Sequence, residues 1–272
     1  MVFNTINKKK IGVCIITYNS QEYFEKLFYS LPDHKYDELV VVNGGNPYDK
    51  IYKRMNGPIK WIQHEKNKGS GQSRNDGLEY LRSRDMDYYF IIEDDMVILD
   101  ENIFDKYIEA NKVSGLQYFC YASNAWGVGP RFARTPRMKV QYTENITINL
   151  YQHCCNEFTF RTKELIDKVG NYNPNYLSMF DVDNIKRISD WELGNPFWYS
   201  PDLSDSDSLI NNNPDAISRM NPDGSRDSKL QDDAKLFHLL HGKFVWQTEE
   251  LSRSQVIEKL KFIKQCKMQA TP

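Results

Sequence analysis

No hydrophobic run in the 272 residues approaches the roughly 20 apolar positions that a membrane-spanning helix needs. Charge of one sign is missing too. Thirty-five Lys and Arg stand against 37 Asp and Glu, a net charge of -2, so the basic footprint of a nucleic-acid binder is absent and no nucleic acid is expected as partner. Cysteine is scarce. The 5 residues show no metal-type spacing, and the adjacent Cys154 and Cys155 are poorly placed to pair, which predicts free thiols in a reducing compartment. Met1 to Lys10 ends in three lysines and has no apolar stretch of a secretion signal. A cytoplasmic protein is therefore expected, and Asn145-Ile146-Thr147 is read as a chance glycosylation match. Aromatics are abundant, with 17 Tyr, 14 Phe and 5 Trp. Such rings serve sugars as flat platforms and serve ordinary cores equally well.

The first hundred residues alternate strand and helix patterns. Ile11 to Ile16 is a β-branched apolar run that ends in Thr17-Tyr18-Asn19-Ser20, a buried parallel strand opening into a loop. Ser20 is placed to cap a helix from Gln21 to about Leu31. Glu38 to Val42 reads as a second strand ending at Asn43-Gly44-Gly45, and Lys60 to His64 as a third. A helix over Gln72 to Arg84 and a fourth strand over Tyr88 to Ile92 follow. This order predicts an α/β fold with a mostly parallel twisted sheet flanked by helices. Ligands of such sheets bind outside the carboxyl ends of the strands.

The fourth strand runs straight into Glu93-Asp94-Asp95. In an extended segment the first and third side chains share a face, and two carboxylates on one face repel unless a cation lies near. Oxygen ligands suit Mn2+ or Mg2+ bridging to substrate phosphates. A solvated strand-to-loop corner is the plain alternative.

Ile15-Ile16-Thr17-Tyr18-Asn19, Val40-Val41-Val42-Asn43, Asn67-Lys68-Gly69 with Ser73-Arg74-Asn75, and Ile91-Ile92-Glu93-Asp94-Asp95 together resemble the family 2 glycosyltransferases, over roughly residues 10 to 100. A second stretch, from Phe158 through Gly170 to Phe180-Asp181-Val182-Asp183, resembles that family's acceptor half. The resemblance implies an inverting GT-A fold enzyme. Its donor half spans 1–100, its acceptor half 101–249 with a long mobile loop at 195–233, and a C-terminal amphipathic helix covers 250–272. It would move a sugar from a nucleoside diphosphate, UDP favoured, to a hydroxyl of a glycan or lipid-linked saccharide. Thr17, Tyr18, Asn19 and Asn43 would take the base, Asn43 standing where relatives carry Asp. Lys68 and Arg74 would lie near the diphosphate, unless Arg74 holds the acidic motif instead. Glu93 would bind the ribose and Asp95 the metal, with Asp94 between these roles. His238 is chosen over His241 as a further metal ligand. Asp181 would be the catalytic base, although Phe180 departs from the Glu usual before it. Asp183 is the alternative base or acceptor contact, and either Asp could merely favour a helix N-terminus.

Trp191, ahead of Trp126 and Trp198, is expected as an acceptor platform. Asn195 to Asp233 is rich in Asn, Asp, Ser and Pro and reads as a long loop. The tail has Ile257, Leu260, Ile263 and Val256 on one face and Lys259, Lys261, Lys264 and Lys267 among the rest. Such a helix docks on its own core or lies peripherally on an anionic membrane. The rival readings are a nucleotidyltransferase, which would need a Gly-rich loop after the first strand, and a catalytically silent binding module.

Overall fold

The computed structural model describes residues 9–55, 57–121, 135–152, 156–176, 178–212, 225–244 and 251–270. Eleven strands are described. In chain order they are β1 (Ile11–Thr17), β2 (Glu38–Asn43), β3 (Ile59–Gln63), β4 (Tyr88–Glu93), β5 (Met96–Ile98), β6 (Tyr118–Cys120), β7 (Met138–Gln141), β8 (Thr147–Tyr151), β9 (Phe158–Thr162), β10 (Ser200–Leu203) and β11 (Ile210–Asn212). The helices are α1 (Gln21–Ser30), α2 (Ser70–Ser83), α3 (Ile103–Ser114), α4 (Lys163–Val169), α5 (Phe180–Asp190), α6 (Ser225–His241) and α7 (Arg253–Ala270).

The central sheet has the order β3-β2-β1-β4-β9-β6. Its first four strands are parallel, and β9 runs antiparallel between β4 and β6. Strand periodicity divides β1 between two cores. Val13 and Ile15 pack with α1, α3 and α7, through Phe24, Phe104 and Leu260 among others. Cys14 and Ile16 pack with α2, α4, α5 and α6, through Leu81, Leu165, Ile185 and Phe237. Helices thus cover both faces, as a mostly parallel sheet requires. The approach of α2 is close: a Cβ on Gly77 would stand 2.2 Å from Cys14 Sγ, so only glycine fits there. Two small sheets, β10-β8-β7 and β11-β5, complete the second half.

Three expectations change. Ser20 makes no side-chain cap to α1; its hydroxyl donates to the Tyr18 carbonyl at 3.0 Å. The 195–233 stretch is not one loop, since β10, β11 and the start of α6 fall within it, while 213–224 lies outside the described residues. Some of its polar residues turn inward: Asp202 is fully buried and accepts from Tyr107 Oη and Ser206 Oγ, each at 2.7 Å. Buried, bonded Asp and Asn look like loop composition in a sequence. The inner face of α7 is Val256, Leu260 and Ile263, packed on α3, whereas Ile257 faces outward. Burying three such side chains stabilises this docking by about 2 kcal/mol each. Lys259 donates to the Ser189 carbonyl at 3.2 Å, Lys264 lies over the Tyr142 ring, and Lys267 reaches toward Glu164. Three of the four lysines therefore meet protein groups. Among the described residues no helix is long and apolar enough to cross a membrane.

Candidate active site

Four separated sequence blocks meet at the carboxyl ends of β1, β2 and β4. A Cβ built on Gly44, just past β2, would lie 3.6 Å from Asn67 Oδ1, 3.7 Å from the Tyr18 ring and 3.9 Å from Ser73 Oγ. One built on Gly45 would collide with Asn19 at 2.3 Å. Asn19 has a positive φ of 52° and accepts from the Asn46 amide at 2.8 Å. The two turns therefore interlock, and their glycines are what let them.

The acidic turn is tied to the β1 turn. Thr17 Oγ1 donates to Asp94 Oδ2 at 2.5 Å, and the Tyr18 amide donates to the same oxygen at 3.2 Å. Thr17 also bonds the Tyr48 hydroxyl. Burial raises the Asp94 carboxyl to about 6, with the Thr17 and Tyr18 hydrogen bonds holding it lower than burial alone would. Glu93 is also pushed upward, first by burial and then by Glu157, Asp94 and Asp181, against the pull of Arg74.

Arg74 is fully buried. Its guanidinium donates to Glu93 Oε1 at 2.6 Å, to the Asn156 carbonyl at 2.7 Å and to Ser70 Oγ at 3.0 Å. The Phe180 ring lies 5.1 Å and the Tyr172 ring 5.8 Å from it. Of the two expected roles, holding the acidic motif is the one its surroundings allow; a phosphate cannot reach a group this enclosed. Phe180, standing where relatives carry Glu, packs over this cation and against Gly71 at the start of α2. That contact brings the first turn of α5, and Asp181 with it, beside Glu93 and Arg74, which both feel its charge. Asp181 is partly exposed and accepts from the Val182 amide at 2.8 Å.

A model of the family described as glycosyl transferase family 2 matches residues 12–170. The chain belongs to that family. No curated protein matches it in sequence. Among solved structures, it is similar to S. aureus TarS 1-349, with 16% identity, a TM-score of 0.56, and coverage of 96% of this chain and 72% of that one. It also matches the mannosyltransferase PcManGT from Pyrobaculum calidifontis in complex with GDP-Man and Mn2+, at 12% identity and a TM-score of 0.59, covering 93% and 69%. Against the longer S. aureus TarS chain it spans 42% of the length, with a TM-score of 0.57 and 17% identity. At these identities the likeness establishes the GT-A fold, and the family match establishes a glycosyltransferase.

Several residues of this family 2 chain are occupied differently from expectation. Asn43 is fully buried; its amide nitrogen donates to the Asn46 carbonyl at 2.8 Å and its oxygen accepts from the Gly45 amide at 2.9 Å. It shapes the turn, with both ends of its amide engaged within the protein. The Thr17 hydroxyl is likewise engaged within the protein. Tyr18, 52% exposed, keeps a ring face for stacking. Beside it, Asn19, Gln21, Asn46, Pro47 and Tyr48 line a recess of 180 Å³. Lys68 keeps its ammonium on the surface, 3.6 Å from Asp76.

Asp183 is 1% exposed and is held by Arg187 at 2.9 Å and His241 at 2.8 Å, so no acceptor hydroxyl can approach it. His238 points outward from α6 and stacks on Phe244, while its neighbour His241 turns inward to Asp183. Trp191 is buried at the far end of α5. Ten residues beyond Asp181 amounts to about 15 Å along a helix, so Trp191 cannot flank a sugar at the base. It lines a separate recess of 440 Å³ with Glu164, Asp167, Lys168, Glu192 and Leu193. Trp126, Cys154 and Cys155 lie outside the described residues. Sequence reasoning missed Tyr48, Asn156 and Tyr172, whose residue types carry no signal apart from their neighbours.

A divalent cation suits the donor atoms available at the acidic turn. Among the described residues no three His, Cys, Asp or Glu groups converge into a closed cage. Mg2+ and Mn2+ in phosphate-handling sites need none, because one or two carboxylates suffice when substrate phosphates complete the shell. Glu93 and Asp94 each commit an oxygen to the protein, and Asp95, buried just ahead of β5, is the third carboxylate of the turn.

Proposed function

We propose that this glycosyltransferase moves a sugar from a nucleoside diphosphate sugar to a hydroxyl of a glycan or lipid-linked saccharide, with inversion. The observation that carries the reading is the packing of Phe180 on Arg74 and Gly71, which brings the first turn of α5, with Asp181 in it, to the acidic turn. A carboxylate on the acceptor side and a donor site at the strand ends are the two halves that such a transfer needs. Tyr18 stacks on the base, and the recess at Asn46 to Tyr48 receives its edge. Glu93, held by Arg74, meets the ribose, and Lys68 swings to a phosphate. Asp95 would hold Mn2+ or Mg2+, and that ion would supply positive charge to the leaving diphosphate. The acceptor hydroxyl attacks the anomeric carbon from the face opposite the diphosphate, and Asp181 takes its proton. The carbon–oxygen bond to the diphosphate breaks, and both its electrons leave with the nucleotide.

A panel of UDP-sugars and GDP-mannose, assayed with Mn2+ for release of the nucleotide, tests the reading. The two solved neighbours supply the contrast, since related structures carry UDP or GDP-Man in their descriptions. UDP donors are expected to be turned over first. Asp181→Asn should lower kcat by about 10³-fold with little change in donor KM. An Asp181→Asn enzyme at full rate, or a protein that binds nucleotide and releases none, refutes the assignment.

A further inference from the structure

We propose that α6 is a brace for the catalytic base, in which Asp233 and His241 are positioning residues that fix Asp181 through the first turn of α5. This rests on the reading of Asp181 as the base. The reasoning begins at Met179, the residue before the helix, whose side chain offers no capping oxygen. Helix starts need outside partners for their amides, and a carboxylate is favoured there by the helix dipole. Asp233 is the group supplied. Its Oδ2 accepts from the Ser178 amide at 2.5 Å and the Met179 amide at 2.8 Å, and it is 2% exposed.

The second grip lies one turn further on. His241 Nε2 bonds Asp183 Oδ1 at 2.8 Å, while Arg187 takes Asp183 Oδ2 at 2.9 Å. Between the grips, Ala234 and Phe237 of α6 are buried in the shared core, and the Phe237 ring lies 4.4 Å from the His241 ring. Asp233, Phe237 and His241 recur every four residues, so they form one face of α6. Asp181 sits midway, two residues after Met179 and two before Asp183.

One anchor would leave a helix free to turn about its axis. Two anchors about one turn apart fix both its axial position and its rotation. Each residue in a helix is turned about 100° from the last, so a small slip would aim the Asp181 carboxylate away from the hydroxyl. A misplacement of about 1 Å can cost about 10²-fold in rate. His241, one of the two late histidines, thereby finds a use that neither a metal nor an acceptor requires.

The test measures kcat and KM for nucleotide release on UDP-N-acetylglucosamine, UDP-glucose and GDP-mannose, using whichever is turned over best. The variants are Asp233→Ala, Asp233→Asn, His241→Ala, Asp181→Asn and Asp233→Ala combined with Asp181→Asn. Asp233→Ala is expected to lower kcat about 100-fold with KM within about 3-fold. Asp233→Asn keeps an oxygen for both amides and should recover most of the rate. In the Asp181→Asn background, Asp233→Ala should cost nothing further, because both act through one carboxylate. His241→Ala should follow the same pattern with a loss of about 10-fold, and it decides the matter if Asp233→Ala does not fold. Losses confined to KM, equal losses in the Ala and Asn variants, or multiplying losses in the double variant overturn the brace. A fully active Asp181→Asn enzyme overturns the base reading and the brace with it. A slow Asp181→Asn enzyme with multiplying losses overturns the brace alone.

Discussion

The two sides of the cleft hold their polar groups by different means. At the strand ends, the proposed donor side, neighbouring turns tie one another: Thr17 and Tyr18 to Asp94, Asn43 to its own turn, Arg74 to Glu93. At α5, the proposed acceptor side, the first turn of the helix is held from α6, a helix more than fifty residues along the chain. A family motif therefore locates a site without saying which of its atoms face the ligand. The side chains of Thr17, Asn43 and Arg74 are engaged within the protein, and the exposed groups of the same blocks are Tyr18 and Lys68.

That contrast can be broken by experiment. Arg74→Met should have the largest effect on the donor side, since it leaves Glu93 and the Asn156 carbonyl without their donor. Removing one partner of such a pair costs about 3 kcal/mol, a fall in Tm of roughly 6–12 °C for a chain of this size. If Arg74 touched phosphate instead, donor KM would rise while Tm held. Thr17→Val comes next. Losing a hydrogen bond to a carboxylate costs about 2 kcal/mol, and Thr17→Ser should restore it, with donor KM near wild type in both. A base-reading Thr17 would show the reverse, a KM defect in a stable protein.

A smaller effect concerns pH. The folded Asp94 carboxyl titrates near 6, above its ordinary value of 3.8. The folded state therefore holds this proton more tightly than the unfolded chain. Its contribution to stability is complete below about pH 4 and is lost as pH rises through about 6. In chelator, Asp94→Asn should flatten the decline in Tm across that window; an unchanged slope would remove Asp94 as its source. The smallest effect is expected for His238→Ala. An exposed residue stacked on Phe244 should cost within about 0.5 kcal/mol and leave the response of turnover to added Mn2+ unaltered. A tenfold weaker response to Mn2+ would return His238 to the metal.

The donor half was the more legible in sequence because its signals are local. Apolar runs such as Ile11 to Ile16 mark parallel strands, and their polar ends mark the cleft. β9 and α4 lie in the stretch from Phe158 to Gly170 that resembles the family, but nothing in that pattern gives the antiparallel direction of β9. Residue type misled wherever burial reversed its usual habit. Arg74 and Asp183 are charged groups that normally stay wet, and both are enclosed. The Asn- and Asp-rich stretch after Asn195 looked like loop because its side-chain bonds to Tyr107 and Ser206 have no sequence signature. The grip of Asp233 on Ser178 and Met179 is invisible for the same reason: it is a contact to backbone, which any residue type provides.

The close approach of Gly77 to Cys14 gives the chain a built-in timer. The Cys14 thiol has no exposed surface, and burial pushes it up to about 12, so a thiol reagent finds neither access nor thiolate in the closed molecule. Modification of that sulfur must wait for α2 to lift from β1. Its rate therefore clocks the opening of the donor half one molecule at a time, and a nucleotide seated at the end of β1 would slow the clock in proportion to its occupancy.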